Sequence, residues 1–254
     1  MRTADWTDSV SVLDRVTAVF DAFGDHDEGL GISELARRAN LPKSTVSRIA
    51  ADLVTQRFLD RDGDRLYLGV RLFELAMAVE RPRRLRHAAL PVMSDLRDVT
   101  GHSVQLAVLE DDDVVFVMIV RGGTESKPAV RVGERLPARG TALGKAMLAY
   151  SPQSVVELVI AGAPAGLDGR VPCDPAELRR ALADIRKSGL AIEKEASAND
   201  SVCVAAPILG LGGVPIAAIS VVGSAPGLVP ERIGPAVRAA AMALGRRLGA
   251  EHVR

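Results

Sequence analysis

The chain has 254 residues, 48% of them hydrophobic and 25% charged, which suits two ordinary globular domains and excludes long disorder. Its two cysteines, Cys173 and Cys203, form neither a disulfide framework nor a metal-ligand spacing, no signal-peptide pattern opens it, and the apolar run Val114 to Val120 is far too short for a bilayer; a cytoplasmic protein without metal or cofactor is expected. The zero net charge hides a division, because residues 1–30 carry 2 basic and 7 acidic side chains whereas residues 31–90 carry 12 and 7, so positive charge gathers in one stretch, as on a nucleic-acid-binding face.

In chain order, Ser9 or Ser11 is placed to cap a first helix carrying Val12, Val16, Val19, Phe20 and Phe23, and Gly24 to Gly31 reads as a loop. Ile32 to Ile49 then reads as a helix-turn-helix. Ser33 is expected to cap a short helix whose Leu35 and Ala36 point inward, Asn40 to end it in the left-handed conformation, and Pro42 to sit in the first turn of the next helix. Val46, Ile49, Ala50 and Leu53 make one apolar stripe, leaving Lys43, Ser44, Thr45, Ser47 and Arg48 outward: short hydroxyls that permit close approach, beside cations that suit phosphates and guanine edges. Any amphipathic helix pair has a polar outer face; what favours DNA is the segment after it. Phe58 to Gly69 is two alternating strands around Asp62-Gly63, a hairpin directly behind a recognition helix and hence a wing, with Arg61 and Arg65 flanking a tip that Asp62 and Asp64 make partly acidic.

Val70 to Glu80 reads as a linker helix with a stripe of Leu72, Leu75, Ala76 and Val79, available either to pair with its twin or to fold back; Pro82 is expected to end it, with Arg81, Arg83, Arg84 and Arg86 as a basic cluster beyond. From His87 the pattern becomes mixed. Helices are expected over Ala88–Thr100, Thr141–Tyr150, Gln153–Ile160, Pro175–Lys187 and Pro230–Leu248, and strands over Ser103–Leu109, Val114–Arg121, Leu190–Glu195, Val202–Ile208 and Pro215–Val222, the first two joined by an acidic turn at Glu110 to Asp113. The expected class is α+β, an antiparallel sheet flanked by helices, in three parts: residues 1–69, a linker over 70–86, and a second domain over 87–254.

These segments together resemble the IclR family of bacterial transcriptional regulators over nearly the whole chain. Three stretches carry the likeness: Leu35 to Arg48; Arg131-Val132-Gly133-Glu134-Arg135-Leu136-Pro137 with Thr141 to Ala149; and Cys203 to Ile208 with Ala217 to Ser220. The resemblance implies a winged N-terminal domain, a GAF-like effector domain, assembly as dimers or dimers of dimers on near-palindromic operators, and sensing of small carboxylic or aromatic acids. It also implies an effector pocket at Leu136, Ala142, Leu143, Glu193, Cys203 and Ser220. Three departures stand out: Arg139-Gly140 replaces a common His-Ala pair, Asp200-Ser201-Val202 replaces a glycine-led triplet, and Val222 stands where a second serine occurs.

From the residues themselves, Thr141, Gly144 and Lys145 at a helix start offer backbone N–H groups to an acid, and Arg139 offers a bidentate clamp. The same residues equally describe a capped, closely packed helix and a surface arginine, and Cys203 equally describes a small core side chain. Two other functions remain open. One is an enzyme with Cys203 as nucleophile and a histidine as base, for which only His102 lies near a strand of the same domain; the other is a DNA-binding protein whose second domain only oligomerises. Gly210 to Gly213 reads as a hairpin turn, not a phosphate-cradling loop.

Overall fold

A computed structural model describes residues 11–24, 28–123, 130–161, 174–195, 201–225 and 227–251. The chain divides into two compact units, residues 1–83 and 84–254.

The first unit opens with helix α1 (Val12–Asp21), started by a reciprocal capping box in which Ser11 Oγ accepts from Asp14 N and Asp14 Oδ2 accepts from Ser11 N. Strand β1 (Leu30–Gly31) runs straight into α2 (Ile32–Arg38), and α3 (Lys43–Thr55) follows. Because Leu30 and Gly31 pair with the wing, Gly31 rather than Ser33 is the N-cap of α2, and Ser33 is an exposed residue inside it. Asn40 does take positive φ, 52°. Pro42 stands one position before its expected place, as the extended N-cap residue of α3, where its missing N–H is equally harmless. The wing is strands β2 (Leu59–Asp62) and β3 (Arg65–Leu68), turning at Gly63 with φ 58°, and β1 completes a three-stranded sheet in the order β1-β3-β2. Val19, Phe23, Leu35, Val46, Ile49, Ala50, Leu53, Leu59 and Leu66 form this unit's core, and an edge-to-face contact between Phe20 and Phe58, centroids 6.3 Å apart, ties α1 to the start of the wing.

Helix α4 (Val70–Ala78) buries no residue in its own unit, and its exposed apolar side chains include Val70, Phe73, Leu75 and Met77. Val79 adopts an extended conformation and α5 (Glu80–Thr100) begins at once. Pro82 therefore does not end the preceding helix but occupies the first turn of the next, a position whose N–H has no helical partner. Residues 81–86, expected as a linker, are helical, and the helix continues through Pro91 to Thr100.

The second unit is a six-stranded antiparallel sheet in the order β6-β5-β4-β9-β8-β7. Its strands are β4 (Ser103–Glu110), β5 (Asp113–Val120), β6 (Arg135–Pro137), β7 (Ala191–Glu195), β8 (Ser201–Leu209) and β9 (Pro215–Ser224). Helices α6 (Ala142–Leu148), α7 (Gln153–Ala161) and α8 (Pro175–Ser188) belong to one core with Ala107, Phe116, Ala205 and Ala218; α5 and α9 (Pro230–Glu251) belong to the core on the other sheet face with Leu106, Val204, Ile208 and Ile219. Alternation along the inner strands β4, β5, β8 and β9 sends successive side chains to these two cores, which is why those strands are apolar on both faces. The short strand β6 and the 3-10 turn at Ala138–Gly140 were not foreseen. They are held by the acidic hairpin: Ala138 N donates to Asp112 O, and Arg135 bonds Asp113 Oδ2 at 3.2 Å and Glu110 O at 3.3 Å. Among the described residues no helix is long and apolar enough to cross a membrane.

Candidate DNA-contacting face and ligand cavity

Helix α3 turns Val46, Ile49, Ala50 and Leu53 into the core, and the helical period therefore places Lys43, Ser44, Ser47 and Arg48 outward, with Thr45 half-buried beside them. No acidic residue lies in the first turn, so the N-terminal end of this 13-residue helix keeps its positive dipole available to a phosphate. Arg61 is exposed on β2. Arg65 is exposed too, but its guanidinium is engaged within the unit: Nη1 donates to the carbonyls of Glu28 at 2.8 Å and Gly29 at 3.1 Å, so this side chain fastens the wing to the preceding loop. Behind α3, Glu34 on α2 accepts from both Arg37 and Arg38, and these hydrogen bonds hold its carboxyl well below the usual range, at about 2.

In the second unit a cavity of about 420 Å³ opens between α6 and the sheet, lined by Gln105, Phe116, Leu136, Ala142, Leu143 and Cys203 among others. It lies in the usual size range for small-molecule sites. Strand register explains the convergence: Cys203 sits opposite Val222 on β9, and Gln105 on β4 sits opposite Ser220, so all four project from one face of three adjoining strands.

Of the residues expected at the pocket, Leu136, Thr141, Ala142, Leu143 and Cys203 line this cavity, whereas Arg139, Gly144, Glu193 and Ser220 do not. Each of the four has another place. Arg139 lies in the 3-10 turn, half-exposed, next to the lining residue Gly140. Gly144 is buried against the backbone of Ala138, where a Cβ would overlap the Ala138 carbonyl, and its N–H is taken by Thr141 Oγ1 at 2.9 Å. Glu193 pairs with Lys145 Nζ at 2.6 Å, a largely buried link that binds the edge strand β7 to α6. Ser220 is fully buried and bonds Gln105. The capped helix start thus satisfies part of itself, and α6 is only seven residues long.

Gln105, Phe116 and Val130 also line the cavity and were not singled out from sequence; Glu134 was quoted only within a family motif, and Gly140, Ser201 and Val222, lining too, only as departures from the family's pattern. Gln105 was legible as the one polar side chain inside an otherwise apolar strand, Val104 to Leu109; nothing local distinguishes Phe116 from the other apolar residues of β5. The rival catalytic pair has little geometry behind it. His102 Nε2 lies 3.2 Å from the Gly227 carbonyl, and its ring packs against Gly223. Cys173 lies outside the described residues. Among the described residues no group of three or more His, Cys, Asp or Glu is placed to hold a metal.

A winged helix-turn-helix unit followed by a sheet unit with a small-molecule cavity defines a ligand-responsive transcriptional regulator. The chain belongs to the IclR family: residues 12–63 match the IclR helix-turn-helix domain and residues 77–246 match the bacterial transcriptional regulator IclR C-terminal domain. It is 30% identical to the glycerol operon regulatory protein of Streptomyces coelicolor over 249 residues, covering 95% of this chain and 98% of that one. An IclR homologue from Microbacterium hydrocarbonoxydans, solved in complex with 4-hydroxybenzoate, is 33% identical with a TM-score of 0.82, covering 94% of this chain and 100% of the other. IclR of Thermotoga maritima is 26% identical with a TM-score of 0.73, covering 93% and 98%.

Proposed function

We propose that this regulator binds a near-palindromic operator as a dimer or a dimer of dimers, and that a small organic acid, aromatic acids foremost, occupies the cavity and changes its affinity for DNA. The observation that carries the reading is the cavity itself: about 420 Å³, walled by Phe116, Leu136, Leu143 and Val222, with a few polar groups among them, a size and lining suited to a single-ring or short-chain acid. The Microbacterium homologue, complexed with 4-hydroxybenzoate, supports the ligand class. Self-association is supported by α4, whose exposed Phe73, Leu75 and Met77 form an apolar surface that its own unit leaves uncovered. In this reading Lys43, Ser44, Thr45, Ser47 and Arg48 enter the major groove, Arg61 meets phosphate, Arg65 orients the wing, and Cys203 is a wall of the cavity, not a nucleophile. Glu193, Arg139, Gly144 and Ser220 support the cavity from behind or beside its lining. The protein is then a cytoplasmic regulator and not an enzyme, as its relatives' roles support.

The test is thermal denaturation of the full chain against a panel of aromatic and short-chain acids, followed by footprinting with the acid that binds. A ligand selective for the folded state raises the melting temperature. Expected are a raised transition with an aromatic acid and a footprint of two symmetric half-sites. No stabilisation by any acid, or turnover of the one that binds, overturns the reading.

A further inference from the structure

Most of the excess positive charge of residues 31–86 sits at the start of α5: residues 31–79 carry 8 basic and 6 acidic side chains, whereas residues 80–86 alone carry 4 and 1. Because this run is helical, it is sorted by face. Leu85, Ala88, Ala89 and Met93 turn into the core of the second unit, and the helical period sets Arg83, Arg86 and His87 on the opposite side, all three exposed. Arg84 is half-buried and already engaged, as is Glu80, the one acid of the run. Arg83 and Arg86 have no ion-pair partner among the described residues. Like charges one turn apart on a helix repel, so this pair is held together at a cost that a nearby polyanion would reverse.

We infer that Arg83 and Arg86 form a second DNA-contacting surface, which holds backbone phosphates beside the stretch that α3 and the wing read. This rests on the reading of the first unit as a DNA-binding domain and extends it. Chain length limits where the surface lies. From Leu68, the end of the wing, the chain runs through Gly69, the nine residues of α4 and the extended Val79 into α5. Arg83 is therefore no more than about 30 Å from the wing, less than the roughly 34 Å of one duplex turn. The side-chain chemistry selects phosphate over bases. On α3 the short Ser44 and Ser47 permit close approach to base edges, whereas the start of α5 offers only long cations, whose guanidinium forks match phosphate oxygens on the outside of a duplex. The surface adds affinity without sequence preference.

The probe is a mixed-sequence duplex of about 40 base pairs, long enough for two helical turns of footprint with a turn of flank on each side. It is titrated over a range of salt concentrations with the full-length wild type, the Arg83→Gln/Arg86→Gln pair and the charge-keeping Arg83→Lys/Arg86→Lys pair. Each phosphate contact adds roughly 0.9 to the slope of log affinity against log salt. The glutamine pair is expected to bind more weakly, with a slope shallower by about 1.8 for each bound protomer, and the lysine pair to keep the wild-type slope. Each single glutamine variant carries half the effect, and glutamine, a good helix former, leaves α5 intact. Arg246→Gln/Arg247→Gln removes the same charge from exposed positions on α9 and is expected to leave the slope unchanged. An equal change in both glutamine pairs would make the effect one of net charge and overturns the inference. So does an unchanged slope for Arg83→Gln/Arg86→Gln, which would leave the face to an acidic protein partner while sparing the first unit as a DNA-binding domain. A wild type that does not bind the duplex at any salt concentration overturns both.

Discussion

Gly144 shows how one residue sets the geometry of the cavity without touching a ligand. Helix α6 crosses the 3-10 turn so closely that no Cβ fits between Gly144 and the Ala138 backbone. The approach presses Ala142 and Leu143 into the lining while Thr141 caps the helix from Gly144 N. A methyl group there meets backbone, which cannot rotate away as a side chain can. Gly144→Ala is expected to destabilise the second unit by about 1–3 kcal/mol, the range for overpacking a tight site, and to displace the helix from the sheet. Denaturant unfolding measures the first effect and loss of acid binding reports the second; unchanged stability would mean that α6 shifts at no cost.

At the scale of elements, α3 and the wing divide the work of recognition. Ser47 and Arg48 stand at the middle of the exposed face of α3, and Arg61 on the wing. Base contacts specify and phosphate contacts position, so Arg48→Ala is expected to reduce discrimination between operator and random duplex by roughly 1–3 kcal/mol, whereas Arg61→Ala weakens both DNAs alike. Arg65→Ala should add a loss of stability, because it frees the carbonyls of Glu28 and Gly29. Competition binding against both duplexes separates these outcomes, and equal loss on both for Arg48→Ala would put that side chain on phosphate. The support behind α3 has its own pH signature. Hydrogen bonds from Arg37 and then Arg38 lower the Glu34 carboxyl from its ordinary 4.5 to about 2. A carboxyl depressed by folding contributes its stability in full above the ordinary value and loses it as pH falls toward the folded one. The stability difference between wild type and Glu34→Gln should therefore hold at neutral pH and vanish between about 4.5 and about 2. Because the pair is solvated, added salt should shrink it as well. Thermal denaturation over that pH range checks the sign, and a difference that grows on acidification would refute it.

These elements also show what a sequence displays and what it hides. The stripe of Val46, Ile49, Ala50 and Leu53, the Asp62-Gly63 turn and the alternation of strands are local patterns, and each appears where its period places it. Boundaries set by tertiary pairing were not legible: Gly31 caps α2 because Leu30 pairs with Leu66, and Pro82 continues as helix because α5 starts two residues before it. The same limit applies to the cavity. Leu136, Ala142, Leu143 and Cys203 came from the family motifs, but Gln105 on β4 and Phe116 on β5 are brought to the cavity by a pairing of β4 with β5 and β9 whose register no local pattern encodes.

At the scale of the molecule, the cavity residues all belong to the second unit and α3 belongs to the first, each with its own core. An effector in the cavity therefore acts on DNA binding only by differing in affinity between DNA-bound and DNA-free states. The chain passes from the first unit to the second after residue 83, within α5. If an acid lowers operator affinity by some factor, its own affinity for the operator complex must be lower by that same factor. Calorimetric titration of free and operator-bound protein measures the effector side, and operator titration with and without acid measures the other. Leu143→Trp, which fills the cavity from its buried wall, is expected to abolish acid binding and the acid's effect on DNA, leaving operator affinity without acid at the wild-type value. Normal acid binding by Leu143→Trp would place the effector elsewhere. Two coupling factors that disagree would show that the acid and the operator are not linked through one equilibrium.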